Sequence, residues 1–375
     1  MPALRILHVL GAMDYGGIET WLMQVLRRID PDVFRFDFCC LSGRPGIFSP
    51  EITALGGRVF ALKISHNLPR FNASFRRLLS SGRYYIVHSH VHQFSGYILW
   101  RASKEGIRGR IAHSFTTMPK KRGAIPRRLY ENGMCRLIRR HATLGLGNSL
   151  RSMTGLFGDQ WASDARWRLL YCGIDLDPFA LPQRREQTLA QYGIPERAKV
   201  IGHLGRLTPA KNHEFLLDIA KEFKKRDENV WFLLMGDGEL RASLRERLGR
   251  EALNHVVMPG RMPEREALAG LRSLALMVFP SLREGLPQAV IEAQAAGTRC
   301  LCSENVTPEV AVNPGAVRFL PTHVGAARWA DECLEMLEMP RPDARLAVEA
   351  IRTSPFNISE SVARLSDFYR GSVCS

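Results

Sequence analysis

The chain has 375 residues, 45% of them hydrophobic and 24% charged, which is typical of a globular protein too long for one ordinary core. No apolar run approaches the length that spans a bilayer, and residues 5–10 resemble a first strand rather than the core of a signal peptide. The eight cysteines form no CxxC pair, which argues against a disulfide framework or a zinc site and favours a reducing cytoplasm.

The positive charge is concentrated in the first half of the chain. Residues 1–178 hold 26 Lys and Arg against 12 Asp and Glu, a net charge of +14 out of the total of +15. Residues 120–140 form the densest stretch, in which Glu131 is the single acid. Its cations are Lys120, Lys121, Arg122, Arg127, Arg128, Arg136, Arg139 and Arg140.

Three interpretations of this basic stretch remain open. It is a solvated helix, a surface that binds anionic lipid or a phosphate-bearing acceptor, or, least favoured, a nucleic-acid site. Because the stretch lacks a set of interleaved aromatic residues and the chain shows no nucleic-acid module, we expect no nucleic-acid partner.

Short apolar runs alternate with longer amphipathic ones along the whole chain. The first half has predicted strands at 4–10, 35–41, 58–62, 85–89, 109–114, 142–147 and 167–171 and helices near 18–29, 48–56, 71–82, 94–105, 126–140 and 149–158. The second half has predicted strands at 199–204, 230–235, 255–258, 274–279 and 298–302 and helices near 212–225, 239–248, 263–272 and 287–296. This alternation predicts an α/β protein of two doubly wound, Rossmann-like domains, which bind ligands at the carboxyl ends of their strands.

The domain boundary is predicted from a change of composition. We place the first domain at 1–178 and the second at 179–355, with a polar, linker-like stretch at 182–197. The closing residues, 356–375, show helical spacing of apolar side chains.

The most informative segment is a strand, turn and helix at residues 279–297. Glu284 and Gly285 lie in the turn, and Pro287 favours a helix start because its missing N–H would be unpaired there. Glu292 follows eight positions after Glu284. Amides at a helix start suit phosphate oxygens, and carboxylates suit pairs of sugar hydroxyls. Taken alone, however, two glutamates at this spacing are usually solvated.

A second loop offers matching chemistry after the strand at 199–204. Gly205 permits a tight exit, and Arg206 and Lys211 then lie in one loop at the carboxyl edge of the sheet. Arginine grips a diphosphate as a planar fork and lysine as a point charge.

The first domain contains a diglycine, Gly16-Gly17, at its first strand-to-helix turn. Such a turn lets the backbone approach an anion closely, although a lone diglycine is more often a simple turn.

Several histidines lie at the ends of first-domain strands, namely His88, His90, His92 and His113. A His-x-His-x-His run raises a metal hypothesis. No carboxylate or cysteine accompanies the run, so we expect no metal. For His90, contact with an acceptor and a structural role remain equally open.

Together these motifs resemble the signature of family 4 glycosyltransferases, which are retaining enzymes of the GT-B fold. The Pro-Ser, Glu-Gly and Glu-Ala-x-Ala-x-Gly elements of 280–297 carry the resemblance, with Gly-Arg-Leu-x-x-x-Lys at 205–211 and Gly-Gly-x-Glu at 16–19. The opening residues 7–13, the His113-Ser114 pair and residues 210–213 further resemble exopolysaccharide-synthesis transferases of the EpsF type.

This resemblance implies two domains facing across a cleft, with the C-terminal helix at 356–375 packed back on the first domain. It implies retaining, metal-independent hexosyl transfer without a cofactor. The donor would be a nucleotide-diphosphate sugar, with a UDP-sugar favoured over GDP-mannose, and the acceptor a glycan or a polyprenyl-linked molecule. Separately from the resemblance, the charge split of the chain leads us to expect a cytoplasmic protein that is peripheral on the inner face of the membrane, with residues 120–140 in contact with it.

The resemblance also implies roles for individual residues. Four would be catalytic: Arg206, Lys211, Glu284 and His113. The donor would further contact Gly16, Gly17, Gly205, Arg261, Gly285, Leu286, Pro287 and Glu292. Among these, Arg206 and Lys211 would hold the diphosphate, Glu292 the ribose hydroxyls, and His113 would lie close to the donor sugar.

Two rival functions remain open at this point. One is a non-hydrolysing sugar-nucleotide epimerase, because that reaction uses the same two-domain fold. The other is a basic protein that binds membranes or nucleic acid without catalysis.

Overall fold

The computed structural model describes residues 3–64, 68–115, 125–181, 184–313 and 315–374. It comprises two compact units. Unit 1 contains Met1–Gly173 and Ile358–Ser375, and unit 2 contains Ile174–Asn357. The change from unit 1 to unit 2 at Ile174 lies slightly before the predicted boundary at 179.

Unit 1 is built on a parallel sheet of seven strands in the order β3-β2-β1-β4-β5-β6-β7. The strands are β1 (Leu4–Leu10), β2 (Phe34–Cys40), β3 (Arg58–Ala61), β4 (Ile86–Ser89), β5 (Gly109–Ser114), β6 (Leu144–Gly147) and β7 (Trp167–Leu169). The helices are α1 (Gly17–Leu26), α2 (Ser49–Ala54), α3 (Leu68–Gly82), α4 (Ser95–Lys104), α5 (Ile125–His141) and α6 (Leu150–Phe157).

Side-chain alternation along β1 builds a core on each face of this sheet. Ile6 and Leu10 contribute to one buried cluster, and Leu7 and Val9 contribute to the other. Because helices cover both faces of a parallel sheet, its inner strands are buried along nearly their whole length, including their polar residues.

Unit 2 is a parallel sheet of six strands in the order β10-β9-β8-β11-β12-β13. The strands are β8 (Lys199–Leu204), β9 (Val230–Met235), β10 (Val256–Gly260), β11 (Leu276–Phe279), β12 (Arg299–Ser303) and β13 (Val317–Leu320). The helices are α7 (Asp177–Ala180), α8 (Arg185–Gln191), α9 (His213–Phe223), α10 (Arg241–Arg250), α11 (Glu264–Arg272), α12 (Gln288–Ala295), α13 (Ala326–Glu338) and α14 (Ala344–Arg352).

The last helix, α15 (Ile358–Cys374), belongs to unit 1 although it follows unit 2 in the chain. Its Leu365 and Tyr369 side chains are fully buried in the core on the α1 side of the sheet. The Ser361 hydroxyl donates to the Tyr171 carbonyl oxygen and accepts from the Gly173 N–H, each at 2.7 Å. The segment predicted at 356–375 therefore packs as a helix on the first unit.

In each sheet the direction of strand order reverses between two neighbours. The reversal lies between β1 and β4 in unit 1 and between β8 and β11 in unit 2. Loops leave such a pair in opposite directions, which opens a crevice at the carboxyl ends of the strands. This topology provides one candidate ligand position in each unit.

Candidate functional site

In unit 2 two loops meet at the crevice between β8 and β11. They are residues 205–212, after β8, and residues 280–287, after β11. The Leu282 N–H donates to the Ala210 carbonyl oxygen at 2.8 Å, and Asn212 Nδ2 donates to the Pro280 carbonyl oxygen at 3.2 Å. These two bonds hold the loops together independently of any ion pair.

A lysine and a glutamate from the two loops form an ion pair in the same place. Lys211 Nζ donates to Glu284 Oε1 at 2.5 Å, and the side chains are only 19% and 12% exposed. Lys211 Nζ also lies 4.6 Å from the centroid of the Phe279 ring, within the range of a cation–π contact. The structure thus brings together two of the predicted catalytic residues, which are far apart in sequence.

Backbone geometry fixes the direction of Lys211. The next residue, Asn212, has a left-handed φ of 59°, a conformation that glycine adopts freely and asparagine tolerates. Asparagine therefore suits the conformation that this loop requires after Lys211. A Cβ on Gly205 would lie 3.0 Å from His203 Nε2, so glycine leaves room for that ring, and it would meet Lys211 Cε at an ordinary contact distance of 3.4 Å.

Two further features of this crevice attract anions. They are the Arg206 side chain and the N-terminus of α12. Arg206 is exposed, and within the described residues its guanidinium has no hydrogen-bond or ion-pair partner. The helix α12 begins at Gln288 with Pro287 as its N-cap, and no side chain caps its amides. Free amides at a helix start and an unpaired guanidinium are both suited to phosphate oxygens.

Glu292 lies one turn into α12 and is half-buried. Burial, together with the nearby negative charge of Glu264, raises the pKa of Glu292 to about 7. In the described part of the chain no donor reaches its carboxylate. Such a group suits a ligand that brings its own hydroxyl donors.

The remaining predicted donor contacts of unit 2 lie around the same strand ends. Gly285, Leu286 and Pro287 are buried in the loop that precedes α12, so that loop presents backbone rather than side chains. Arg261 is exposed and directly follows β10, one strand beyond β9.

Two histidines beneath Lys211 were missed by sequence reasoning. His203 Nδ1 hydrogen-bonds to the Val278 carbonyl oxygen at 3.0 Å, and its ring lies 4.8 Å from that of His213. Burial holds the pKa of His203 well below its usual range, and burial together with the Lys211 charge lowers the pKa of His213 to about 4. Both rings are therefore neutral at pH 7, which leaves Lys211 as the cation of this layer. A histidine inside an apolar strand was the available sequence clue to His203.

In unit 1 the predicted diglycine lies between β1 and α1. Gly16 is the N-cap of α1 in extended conformation, and its carbonyl accepts the Thr20 N–H at 2.8 Å. A Cβ on Gly16 would collide with the Glu19 carboxylate, which lies against it in the first turn. Gly17 is exposed. Because that carboxylate is the end of a flexible side chain, space alone does not require the first glycine, and donor contact by either glycine stays a prediction.

Four histidines of unit 1 form one buried cluster beside the reversal between β1 and β4. His8 Nδ1 lies 3.0 Å from His90 Nε2, and His88 Nε2 lies 3.1 Å from His113 Nδ1. The Tyr369 hydroxyl from α15 hydrogen-bonds to His88 Nδ1 at 2.8 Å. Sequence reasoning identified three of these histidines but missed His8 and Tyr369, because only the parallel register places them together.

His113 is fully buried in this cluster. Its ring packs 4.0 Å from that of Phe115 and edge-on to Trp21 at 5.6 Å. Its predicted contact with the donor sugar therefore requires a change in the side chains that cover it, and it stays a prediction.

A metal ion fits this cluster poorly. His8, His88 and His90 each offer a ring nitrogen within 4.8 Å of the others. An ion there would break the His8–His90 hydrogen bond and leave His8 Nε2 and His90 Nδ1, already unpartnered among the described residues, as buried N–H groups without acceptors. Metal-bound histidines normally donate that N–H to a carboxylate or carbonyl. We therefore do not propose a metal here.

The basic stretch forms α5, except that Lys120, Lys121 and Arg122 lie outside the described residues. The first turns of α5 expose Ile125 (73%) and Leu129 (68%). Their neighbours on the helix include exposed arginines, namely Arg127, Arg128, Arg136, Arg139 and Arg140. None of the helices in the described ranges is long and apolar enough to cross a bilayer.

Comparisons with known proteins agree with this geometry. Residues 184–353 match the model of the family described as "Glycosyl transferases group 1". The chain is 31% identical to the putative glycosyltransferase EpsF of Bacillus subtilis over 370 residues, which cover 97% of this chain and 96% of that protein. The chain belongs to the group 1 glycosyl transferases.

Another relative of this group 1 transferase acts in capsular polysaccharide biosynthesis. It is 25% identical to the capsular polysaccharide biosynthesis glycosyltransferase CapH of Staphylococcus aureus, over 77% of this chain and 78% of that one. Among solved structures, Anabaena Alr3699/HepE in complex with UDP-glucose superposes with a TM-score of 0.79 at 18% identity, covering 98% of this chain and all of that one. The fold is therefore GT-B, as predicted, and the family favours transfer over the epimerase and non-catalytic alternatives.

The histidine cluster makes the stability of unit 1 dependent on pH. Burial lowers the pKa of His90 to about 3 and holds the pKa values of His8, His88 and His113 well below their usual range. Below about pH 6.5 the unfolded chain binds protons that the folded unit does not, so stability is lost as the pH falls toward 3. We expect each histidine to contribute about 1.4 kcal/mol per pH unit within that window.

Urea unfolding between pH 7.5 and 5.5 measures the slope of the free energy of unfolding against pH. His90→Gln removes one titrating group and should make the slope shallower, whereas His323→Gln, at an exposed position, should leave it unchanged. A free energy of unfolding that is constant across this range would contradict the neutral-cluster assignment.

Proposed function

We propose that the protein is a retaining, metal-independent hexosyltransferase that uses a nucleotide-diphosphate sugar, with a UDP-sugar favoured over GDP-mannose. The acceptor we propose is a glycan or polyprenyl-linked molecule in exopolysaccharide or other cell-surface polysaccharide synthesis. The observation that carries the proposal is the Lys211–Glu284 pair beside the unpaired Arg206, at the strand-order reversal of unit 2. The UDP-glucose bound by the Anabaena structure supports the donor class.

In this proposal, catalysis rests on stabilising the departing diphosphate. Charge grows on that group as the bond from sugar to phosphate breaks. Lys211 and the free amides at the start of α12 are held in position to meet it, and the exposed Arg206 side chain would turn to the same group. Removing one such preorganised donor typically costs a factor of about 10²–10³ in rate. Because these cations supply positive charge themselves, the proposal needs no metal ion.

The two glutamates orient the donor rather than act as a pair of hydrolytic acids. Glu284 is already committed to Lys211, so its carboxylate is held in one position where it can also accept a sugar hydroxyl. Glu292 would accept the ribose hydroxyls, which would supply the donors that its carboxylate lacks. Retention follows if the leaving phosphate oxygen takes the acceptor's proton on the same face, which requires no separate side-chain base.

Substitution of the two donor-holding side chains tests this assignment. We expect Lys211→Ala and Glu292→Ala each to lower sugar transfer at least tenfold, because one removes a diphosphate cation and the other a ribose acceptor. Lys225→Ala and Glu246→Ala, which change exposed side chains of the same types, are the controls. Circular dichroism and melting temperature confirm folding. Full activity in both site variants would reject the assignment.

We propose further that the protein docks on the inner face of the cell membrane through α5. The exposed Ile125 and Leu129 would enter the headgroup region, while the arginines would attract anionic lipid. The combination of apolar and basic side chains on one exposed surface is what favours lipid over a solvated helix.

Vesicle binding tests the membrane proposal. Anionic phosphatidylglycerol vesicles should bind the protein at low salt and release it at high salt, because exposed charges are screened. Replacing Arg136, Arg139 and Arg140 by Gln should weaken binding, whereas replacing Arg245, Arg250 and Arg265 of unit 2, all exposed, should not. Equal binding to neutral phosphatidylcholine vesicles would contradict the electrostatic mechanism.

A further inference from the structure

Unit 2 also contains a cavity, which lies at the opposite ends of the strands from the Lys211–Glu284 loops. The cavity has a volume of about 360 Å³ and is lined by Arg185, Arg272 and Arg341. Arg272 shortly precedes β11, and the lining residues Ala295 and Ala296 shortly precede β12. The cavity therefore lies at the amino ends of these strands, whereas the loops of the proposed donor site lie at the carboxyl ends.

The three arginines are held in place by the backbone. Arg185 Nη2 donates to the Ala198 carbonyl at 2.7 Å, Arg272 Nη2 to that of Leu181 at 2.8 Å, and Arg341 Nη2 to that of Arg272 at 3.1 Å. Further acceptors are the carbonyl oxygens of Pro178, Phe179, Glu196, Ser273, Ala296 and Gly297. Backbone carbonyls rather than carboxylates therefore orient the guanidinium groups, so their positions are set without an ion pair.

No carboxylate balances these charges around the cavity. None of the described residues that line it is acidic. Arg185 and Arg272 are half-buried, whereas Arg341 is exposed. Loss of solvation lowers the pKa of Arg272, and partial loss of solvation together with the charges of Arg185 and Arg272 lowers that of Arg341. The ends of α11 and α12 point their carbonyls at these arginines, and two helix C-termini supply about one negative charge in all. About two positive charges remain uncompensated.

The rest of the lining limits what would bind. Phe179, Pro342 and Val348 add apolar surface, and the volume is at the small end of the range for ligand cavities. Within the described residues, Nη1 of Arg341 has no hydrogen-bond partner, so N–H groups remain for a ligand. These features suit a compact dianion with a small organic group.

We propose that this cavity, which we call the arginine cavity, is a second anion site that binds phosphate or a small phosphate monoester. The arginine cavity is separate from the proposed donor site. If the cavity binds no anion, the proposed function is therefore unaffected. The competing explanation is that the arginines only cap the two helix ends. That explanation predicts no anion affinity.

Phosphate binding at the donor site must first be removed by mutation. Isothermal titration with inorganic phosphate and with glucose 6-phosphate is done on the full chain carrying Arg206→Ala and Lys211→Ala, at low ionic strength. We expect one phosphate site per chain in this background. Tighter binding of glucose 6-phosphate would identify a monoester as the ligand class, and tighter binding of inorganic phosphate would identify the free ion.

A charge placed at the rim locates the site without removing an arginine. Ala344, an exposed lining residue, is the first residue of α14, where an acid is compatible with the helix. Ala344→Glu should supply the missing counter-charge and weaken binding at least tenfold. Leu346→Glu adds the same charge to the same helix, at a side chain that is 72% exposed and outside the lining, and should leave binding unchanged. Absence of binding in the background protein, or equal affinity in the two Glu variants, would overturn the proposal.

Discussion

The proposed donor site depends on one ion pair between residues that are 73 positions apart in the chain. Lys211 and Glu284 meet because β8 and β11 are neighbours in the sheet, while the strand order reverses between them. The backbone bonds between the two loops fix the distance, and the left-handed Asn212 fixes the direction of the lysine. The neutral His203 and His213 beneath it leave the charge of the layer to Lys211. The strand order thus brings the site residues together, and burial keeps the two histidines beneath Lys211 neutral.

In unit 1 the strand order also brings distant side chains together, but there they form a buried histidine cluster. The parallel register brings four neutral imidazoles together, and a tyrosine from α15 completes the network. This network ties the last helix to the central strands, so the histidines contribute to the fold of unit 1. Their burial also makes that fold sensitive to acid, because a protonated imidazole has no counter-charge there.

The sequence predicted most of this architecture and much of the unit 2 site. The strands of both sheets are apolar runs bounded by turn residues, and the loops after β8 and β11 carry local motifs. The edge strand β13 was missed because it is short, half-exposed and interrupted by Arg318. His8 and the arginine cavity were missed because their partners are brought together only by tertiary packing. Local sequence patterns identify residues whose side chains can bind ligands, but long-range contacts decide which of these residues come together.

The central claim is that Lys211 and Glu284 act as one unit in holding the donor. A double-mutant cycle with Lys211→Met and Glu284→Gln, measured as UDP-glucose affinity by isothermal titration, tests it most directly. We predict that the two effects deviate from additivity by at least about 1 kcal/mol, because residues in contact usually couple. Effects that add to within about 0.3 kcal/mol, or an unchanged affinity in Lys211→Met, would contradict the account.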